Sequence, residues 1–185
     1  MLAGFVSFAL GDQHSMILKS DGSVWSTRIS FRNDFPSRGA KRFIQVISTG
    51  AIGAGAGTGY SLIVKQDGGL WATGQNSRGQ LGDGTKLKKP AFFFVQGFTG
   101  AKSVAAGSYH SMVLTKQGRI WATGWNKNGQ LGESATSYRS RFFETMSSGA
   151  VAVAAGDIHS IVLRQDGSVW AAGRNYNGQL GAGNS

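Results

Sequence analysis

The chain has 185 residues, of which 29 are glycine, two are proline and none is cysteine, and its formal net charge is +10. The lack of cysteine excludes disulfides, thiol catalysis and cysteine-ligated metals, and an apolar fraction of 41% excludes a disordered chain. The 19 Lys and Arg against 9 Asp and Glu favour acidic partners, which include nucleic acid, an acidic protein face or an anionic membrane. Insertion into a membrane is not expected, because no run of 18 apolar residues occurs.

An internal repeat organises the whole chain. Tryptophans recur at intervals of 46, 50 and 49 residues, at Trp25, Trp71, Trp121 and Trp170. Eleven residues before each tryptophan stands a ring-bearing residue that is always followed by serine: His14, Tyr60, His110 and His159. We therefore predict one repeat domain, 1–185, with units at roughly 1–40 (a degenerate unit), 41–90, 91–140 and 141–185.

Each unit predicts about four short β-strands separated by glycine turns. The N-terminal segment 6–11 (VSFALG) aligns with 151–156 (VAVAAG), so it is interpreted as a strand and not as a signal peptide. Residues 111–115 alternate in polarity as expected of a strand, and 116–118 are predicted to form a tight turn. Residues 119–123, which include Trp121, are predicted to form the second strand of this hairpin. Further strands are predicted at 91–96 and 141–146. Four strands in about 50 residues are typical of a propeller blade, so the predicted fold class is an all-β propeller of about four blades.

The loop after the tryptophan carries the most specific motif. GQLG recurs at 79–82, 129–132 and 178–181, each time as the end of Gly-x-Asn-x-x-Gly-Gln-Leu-Gly. Together with the His/Tyr-Ser and the Asp/Gln-Gly turn, this pattern resembles the regulator of chromosome condensation repeat. The resemblance implies a β-propeller, usually of seven four-stranded blades, so this chain is interpreted as a partial propeller. The first unit departs from the pattern, because STRISFRNDF follows Trp25, and Tyr60 replaces the histidine of the second unit.

Several functions are implied by the resemblance, among them nucleotide exchange on the small GTPase Ran with chromatin binding, attachment to ubiquitin ligases, and inhibition of β-lactamase. The fold does not select among them. We interpret the chain as a non-catalytic protein-interaction module with no cofactor. The alternatives are a guanine-nucleotide exchange or chromatin-binding propeller that acts on a small GTPase, and a protein inhibitor of an enzyme. The compartment is not determined, although the cytoplasm or the nucleus is favoured.

The repeated residues are predicted to be structural, since a catalytic site needs one copy and not three or four. The four tryptophans are expected to be core anchors between sheets. A metal site shared by His14, His110 and His159 is not expected, because equivalent atoms of different blades stand too far apart to bind one ion. These histidines are instead expected to bond strand-end backbone. The glycines Gly79, Gly129 and Gly178 are expected to supply turns with positive φ.

Two sets of residues are predicted to bind a partner. The first is a basic rim, because equivalent loops of successive blades emerge on one side: Arg38, Lys41, Arg42, Lys86, Lys88, Lys89, Arg139 and Arg141. The second is a set of variable loop-tip residues: Gln75, Trp125 and Arg174. The alternative for the basic rim is that it binds no partner and that its charge only aids solubility. For Trp125, the sequence leaves open an exposed hot spot or packing on its own loop. Because an open propeller exposes strand edges, self-association or completion by another chain is also expected.

Overall fold

The computed structural model describes residues 4–27, 42–134 and 136–183, and these residues form four antiparallel sheets, which we call blades 1 to 4. Blade 1 comprises β1 (Phe5–Leu10), β2 (Ser15–Lys19), β3 (Val24–Ser26) and β4 (Ile44–Ile47). Blade 2 comprises β5 (Ala51–Ala56), β6 (Tyr60–Lys65), β7 (Leu70–Gly74) and β8 (Lys89–Phe94). Blade 3 comprises β9 (Ala101–Ala106), β10 (His110–Thr115), β11 (Ile120–Trp125) and β12 (Tyr138–Met146). In the described residues, blade 4 has three strands, β13 (Ala150–Ala155), β14 (His159–Arg164) and β15 (Val169–Gly173).

The prediction of an all-β propeller with four blades is confirmed. Even the degenerate first unit forms a four-stranded sheet, since the strand pattern persists where the glycine-rich loop is lost. The predicted strands at 91–96 and 141–146 correspond to the outer strands β8 and β12. No helix of the described ranges is long and apolar enough to cross a membrane.

The strand directions separate the connections into two faces. The first strands of the blades, β1, β5, β9 and β13, neighbour one another around the propeller axis. The turn after each first strand and the long loop after each third strand emerge together at what we call the loop face. The hairpins between second and third strands emerge at the opposite end, the hairpin face. Backbone bonds tie the loop face together, since Gln75 N–H donates to Gly59 O over 2.9 Å and Trp125 N–H to Tyr109 O over 2.8 Å.

Apolar cores fill the seams between blades. The seam between blades 2 and 3 buries Leu62, Leu70 and Leu81 against Val113. The seam between blades 3 and 4 buries Met112, Ile120 and Leu131 against Val162, and the seam between blades 1 and 2 is built in the same way. Both faces of the second strand of blade 3 are buried, because blades 2 and 4 cover the two sides of this sheet.

Candidate protein-binding face

Each glycine-rich loop of the loop face is folded around the side chain of its asparagine. The Asn76 Oδ1 accepts the Leu81 N–H over 2.9 Å, and its Nδ2 donates to the Thr85 carbonyl over 3.1 Å. Asn126 Oδ1 accepts the Leu131 N–H over the same 2.9 Å. Because Asn76 and Asn126 are almost fully buried, they fix the path of the loop, and the loop presents a preformed surface.

A hydrogen-bonded clamp crosses the seam between blades 2 and 3 and the seam between blades 3 and 4, beneath these loops. The Ser111 hydroxyl donates to the carbonyl of Gln80 on the preceding blade over 2.7 Å, and Ser160 bonds Gln130 O at the same distance. The hydroxyl oxygen of Ser160 in turn lies 2.9 Å from Nε2 of His110, which belongs to blade 3. Since the hydroxyl proton is used on the carbonyl, His110 donates from Nε2 to Ser160.

The sequence did not predict that a serine of the next blade contacts the histidine. His14 repeats the arrangement, with Nε2 2.7 Å from Ser61 Oγ, so His14 also contacts a serine of the next blade. Tyr60 does bond backbone: its hydroxyl contacts His110 O and lies 3.1 Å from Gly107 O. Complete burial raises the pKa of Tyr60, so its phenol stays protonated. His159 lies on the last described blade, where no following blade supplies a serine in the described residues.

His110 makes the stability of the clamp depend on pH. Burial, reinforced by the nearby His159, lowers the pKa of His110 from about 6.5 to about 4. The unfolded chain therefore binds a proton that the folded chain excludes, and stability should fall as pH decreases from about 6.5 towards 4. The loss should approach about 3 kcal/mol near the lower limit, at about 1.4 kcal/mol for each pKa unit. Urea unfolding at a series of pH values measures it.

The repeat supplies the control for this titration. His110→Tyr places at this position the residue that Tyr60 already occupies in blade 2, so the fold should tolerate it. The difference in unfolding free energy between the wild type and this variant should vary with pH between 4 and 6.5. A difference that stays constant with pH would show that folding does not lower the pKa of His110.

Trp71, Trp121 and Trp170 lie on the blade surfaces that face the preceding blade. Trp71 and Trp121 are half-buried and contact Phe94 and Phe98 edge-to-face, with ring centroids 6.0 and 5.8 Å apart. Trp25 is also half-buried, and Lys19 Nζ lies 4.6 Å from its ring centroid. Trp170 is 56% exposed, and the position equivalent to Phe98 in the connection before blade 4 is Ser147.

The predicted rim residues of blades 2 and 3 meet at one seam of the loop face. The blade 2 loop runs along the first residues of β12, where Gly84 N–H donates to Ser140 O over 2.8 Å. This contact brings together Lys86, Lys88, Lys89, Arg139 and Arg141. Arg42 is exposed and precedes β4 on blade 1, whereas Arg38 and Lys41 lie outside the described residues.

Two of these basic residues are neutralised within the face. Lys89 Nζ lies 3.1 Å from Asp83 Oδ2, and Arg139 Nε lies 2.7 Å from Glu133 Oε1. Although burial opposes ionisation of Asp83, hydrogen bonds from Thr85 and the contact with Lys89 lower its pKa. The Arg139 hydrogen bond lowers the pKa of Glu133. Both acids are therefore ionised and paired at neutral pH, and they do not oppose the remaining positive charge.

The predicted loop-tip residues lie nearer the axis. Gln75 is exposed, and Trp125 is half-buried. Trp125 contacts Tyr109 edge-to-face at 6.1 Å, and the Arg78 guanidinium from the blade 2 loop lies 6.0 Å from its ring centroid. Arg174 stacks on the exposed Tyr176 at 4.7 Å. Neither of the two sequence alternatives for Trp125 includes this contact, because Arg78 belongs to the loop of another blade.

The axial end of the loop face carries acidic residues that sequence analysis did not single out. A cavity of about 290 Å³ is lined by the turns after the four first strands, and these turns include Asp12, Thr58, Ser108 and Asp157. Ser108 bonds the Asp157 carboxylate from the neighbouring blade. The repeat alignment places these residues at one equivalent position, which is the signal that could have found them. The loop face is thus acidic at its axis and basic around it.

The family follows from the matched segments. Family models described as regulator of chromosome condensation (RCC1) repeat match residues 67–114, 101–130 and 150–179, which together cover about half of the chain. The chain belongs to the regulator of chromosome condensation repeat family. The resemblance of the motif is therefore confirmed for blades 2, 3 and 4, which contain the matched segments. No curated protein sequence gives a significant match.

Solved propellers share the arrangement of the blades. Prp20p of Saccharomyces cerevisiae, described with its binding to Gsp1p and histones, superposes with a TM-score of 0.79 at 24% identity, over 95% of this chain and 45% of its own. Human WBSCR16 gives 0.82 at 20% identity, over 100% and 53%. The CRINKLY WD40 ectodomain of the Arabidopsis thaliana receptor kinase ACR4 gives 0.52 at 17%, over 94% and 55%. The chain spans about half the length of these proteins, and at such identities the likeness concerns the fold.

Proposed function

We propose that this regulator of chromosome condensation repeat protein is a non-catalytic protein-binding propeller that docks an acidic partner on its loop face. The observation that carries the proposal is the cluster of Arg78, Tyr109 and Trp125, in which a cation and two aromatic rings from two blades share one surface. Partly exposed tryptophan, tyrosine and arginine are the residues that most often dominate protein interfaces.

Charge supports an acidic partner. Asp83 and Glu133 are paired within the face, whereas Arg78, Lys86 and Lys127 make no ion pair with a carboxylate of the described ranges. Lys86 also lies 3.4 Å from the Tyr138 ring centroid, so the cation and the ring form a second mixed contact at the same seam. The carboxylates at the axis, Asp12 and Asp157, would repel an acidic partner, so the proposed docking surface surrounds the axial cavity and does not include it.

Salt and charge reversal test the docking surface. Arg78→Glu should slow association with poly-L-glutamate, because exposed charges steer the encounter more than they hold the complex. The effect should shrink at high salt, since the Debye length decreases from about 8 Å at 0.15 M to about 3 Å at 1 M. Trp125→Ala should instead speed dissociation by roughly tenfold or more, as expected of an interface hot spot. Kinetic binding at two ionic strengths measures both effects.

The matched control is Lys116→Glu, which makes the same kind of charge reversal at an exposed position on the hairpin face. Reversal at Lys89 is unsuitable, because it would also break the ion pair with Asp83. If Arg78→Glu and Lys116→Glu slow association equally, only the net charge of the protein matters. The proposed docking surface would then be wrong.

Action on a small GTPase is the second candidate, favoured by the fold shared with Prp20p, which is described with binding to Gsp1p. It is distinguished by mixing this protein with a small GTPase loaded with a fluorescent nucleotide. Accelerated nucleotide release would support the exchange function, whereas salt-sensitive binding without acceleration would support the docking function.

A further inference from the structure

The hairpin of blade 3 is built differently from those of its sister blades. In blades 1, 2 and 4, an aspartate accepts the backbone N–H two residues further on, over 2.8, 2.8 and 3.0 Å: Asp21, Asp67 and Asp166. Blade 3 has Gln117 at this position, and the Thr115 hydroxyl accepts the Arg119 N–H over 3.1 Å. The turn is therefore closed without residue 117, and the exposed amide of Gln117 has no hydrogen-bond partner among the described residues.

The connection into blade 3 is also different. Phe98 stands at a position where the connections into blades 2 and 4 both carry serine. Its buried ring contacts Trp121 edge-to-face, with centroids 5.8 Å apart and an angle of 79° between the ring planes. The Lys116 N–H donates to Gly100 O over 2.9 Å and so holds the hairpin against this connection. Two local departures from the repeat thus meet at one place on the hairpin face.

A cavity of about 400 Å³ opens at this place, between the four-stranded blades 2 and 3. Its lining includes two aromatic rings, an amide, two hydroxyls and a guanidinium: Phe98, Trp121, Gln117, Thr99, Thr115 and Arg119. Small-ligand sites usually measure roughly 300–1,000 Å³, so this cavity suits a ligand of one ring. The residues that distinguish blade 3 from its sisters, Phe98, Gln117 and Arg119, all line it.

The polar groups of the cavity offer hydrogen bonds without net charge. Arg119 Nη1 lies 3.1 Å from Glu144 Oε2, so the charged side chain of the lining is paired. In blade 1, Ser23 Oγ accepts the Nε1–H of Trp25 over 3.1 Å. Arg119 occupies the position of Ser23 in blade 3 and offers no acceptor, so the Trp121 N–H has no partner among the described residues. Unpaired polar groups therefore accompany the two aromatic rings.

We propose that this cavity binds a neutral pyranose ring, either as a free sugar or at the end of a glycan. The faces of aromatic rings are negative and attract the C–H groups of a pyranose, which neighbouring oxygens polarise. Each sugar hydroxyl both donates and accepts, as do the Gln117 amide and the Thr99 hydroxyl. Because Arg119 is paired, an anion gains no advantage over a neutral ligand. The site lies on the hairpin face and is separate from the docking surface of the loop face.

Methyl β-D-glucopyranoside is the probe, because its equatorial hydroxyls leave C–H groups on both faces of the ring. Added to the whole protein at millimolar concentrations, it should shift the NMR signal of the Trp121 indole N–H and leave that of Trp71 unchanged. Trp71 is the internal control, because blade 2 has Asp67 in place of Gln117 and serine in place of Phe98. Sorbitol, an open-chain polyol without a ring face, should shift neither signal.

Substitution of Gln117 tests the site from the side of the protein. Gln117→Ala should weaken binding of the glucoside by about fivefold, the equivalent of one hydrogen bond. The matched control is Gln66→Ala, the same change at an exposed position of the blade 2 hairpin, and it should have no effect. Gln117→Asp is a second variant that installs the residue of the sister hairpins, so it should keep the fold and also weaken binding.

The two sources of the ring are distinguished with cellobiose. Tighter binding than that of the glucoside would support the end of a glycan, and equal binding would support a free sugar. The proposal is overturned if the glucoside leaves the Trp121 signal in place, or if Gln117→Ala and Gln66→Ala weaken binding equally. It is also overturned if methyl β-D-glucuronide binds more tightly than the glucoside, because the cavity would then select a carboxylate through Arg119.

Discussion

Gly79→Ala should destabilise the propeller by about 3 kcal/mol, more than alanine at the equivalent Gly129 or Gly178. Gly79 has φ of +80°, and a left-handed backbone alone costs alanine roughly 1 kcal/mol. A Cβ at this position would also lie 2.5 Å from Ser140 Cα and 2.7 Å from the Arg139 carbonyl oxygen. Because both contacts involve the backbone of the next blade, relief requires the seam to open, which adds a cost of about 1–3 kcal/mol. Chemical denaturation measures the change.

The repeat provides two controls at the same position. Gly129 and Gly178 have φ of +76° and +71°, so alanine meets the same backbone preference. A Cβ at Gly129 would meet its nearest atom at 3.8 Å, and a Cβ at Gly178 would meet nothing within 4 Å. These variants should lose about 1 kcal/mol each, the conformational cost alone. Equal losses for all three would mean that the contact between the blade 2 loop and β12 does not constrain the protein.

Trp121→Ala should also cost about 3 kcal/mol, at the lower end of the loss for a large packed ring, because Trp121 is half-buried against the core. The Trp121 ring packs against the core between blades 2 and 3 and contacts Phe98 edge-to-face at 5.8 Å, so its removal leaves a hole in the seam. Thermal and urea unfolding should both report the change. The size of the effect tests whether this tryptophan anchors neighbouring sheets.

Trp170→Ala is the matched control, because Trp170 occupies the same position in blade 4 but is 56% exposed. Its removal should cost less than about 1 kcal/mol, as for other surface positions. If both tryptophan variants lose the same stability, the effect comes from the strand itself and not from the packing of the seam.

The strands could be predicted from sequence because local patterns determine them. Alternation at 111–115 and the turn at 116–118 lie within one hairpin, and four aligned copies repeat the information. The strand at 6–11 was recognised through its alignment with 151–156, although blade 1 has lost the loop motif. Repetition therefore compensated for the weakness of each single signal.

Contacts between blades could not be predicted in the same way. The serine that bonds His110 lies 50 residues away, and the arginine beside Trp125 comes from the loop of the preceding blade. A repeat alignment shows which residues are equivalent, but it does not show which face of one copy meets the next. For the same reason the sequence grouped Lys89 with Lys86, whereas the path of the loop pairs Lys89 with Asp83.

The serine and histidine clamp has a consequence for how the protein unfolds. Each clamp joins a hydroxyl of one blade to a carbonyl of its neighbour, so the cooperative unit spans the border between repeats and does not coincide with any one of them. Stability then follows nearest-neighbour coupling, as in a one-dimensional array. A variant that weakens one seam would divide the array at that point. Two unfolding transitions would replace one, and the amides on either side of the divided seam would exchange independently.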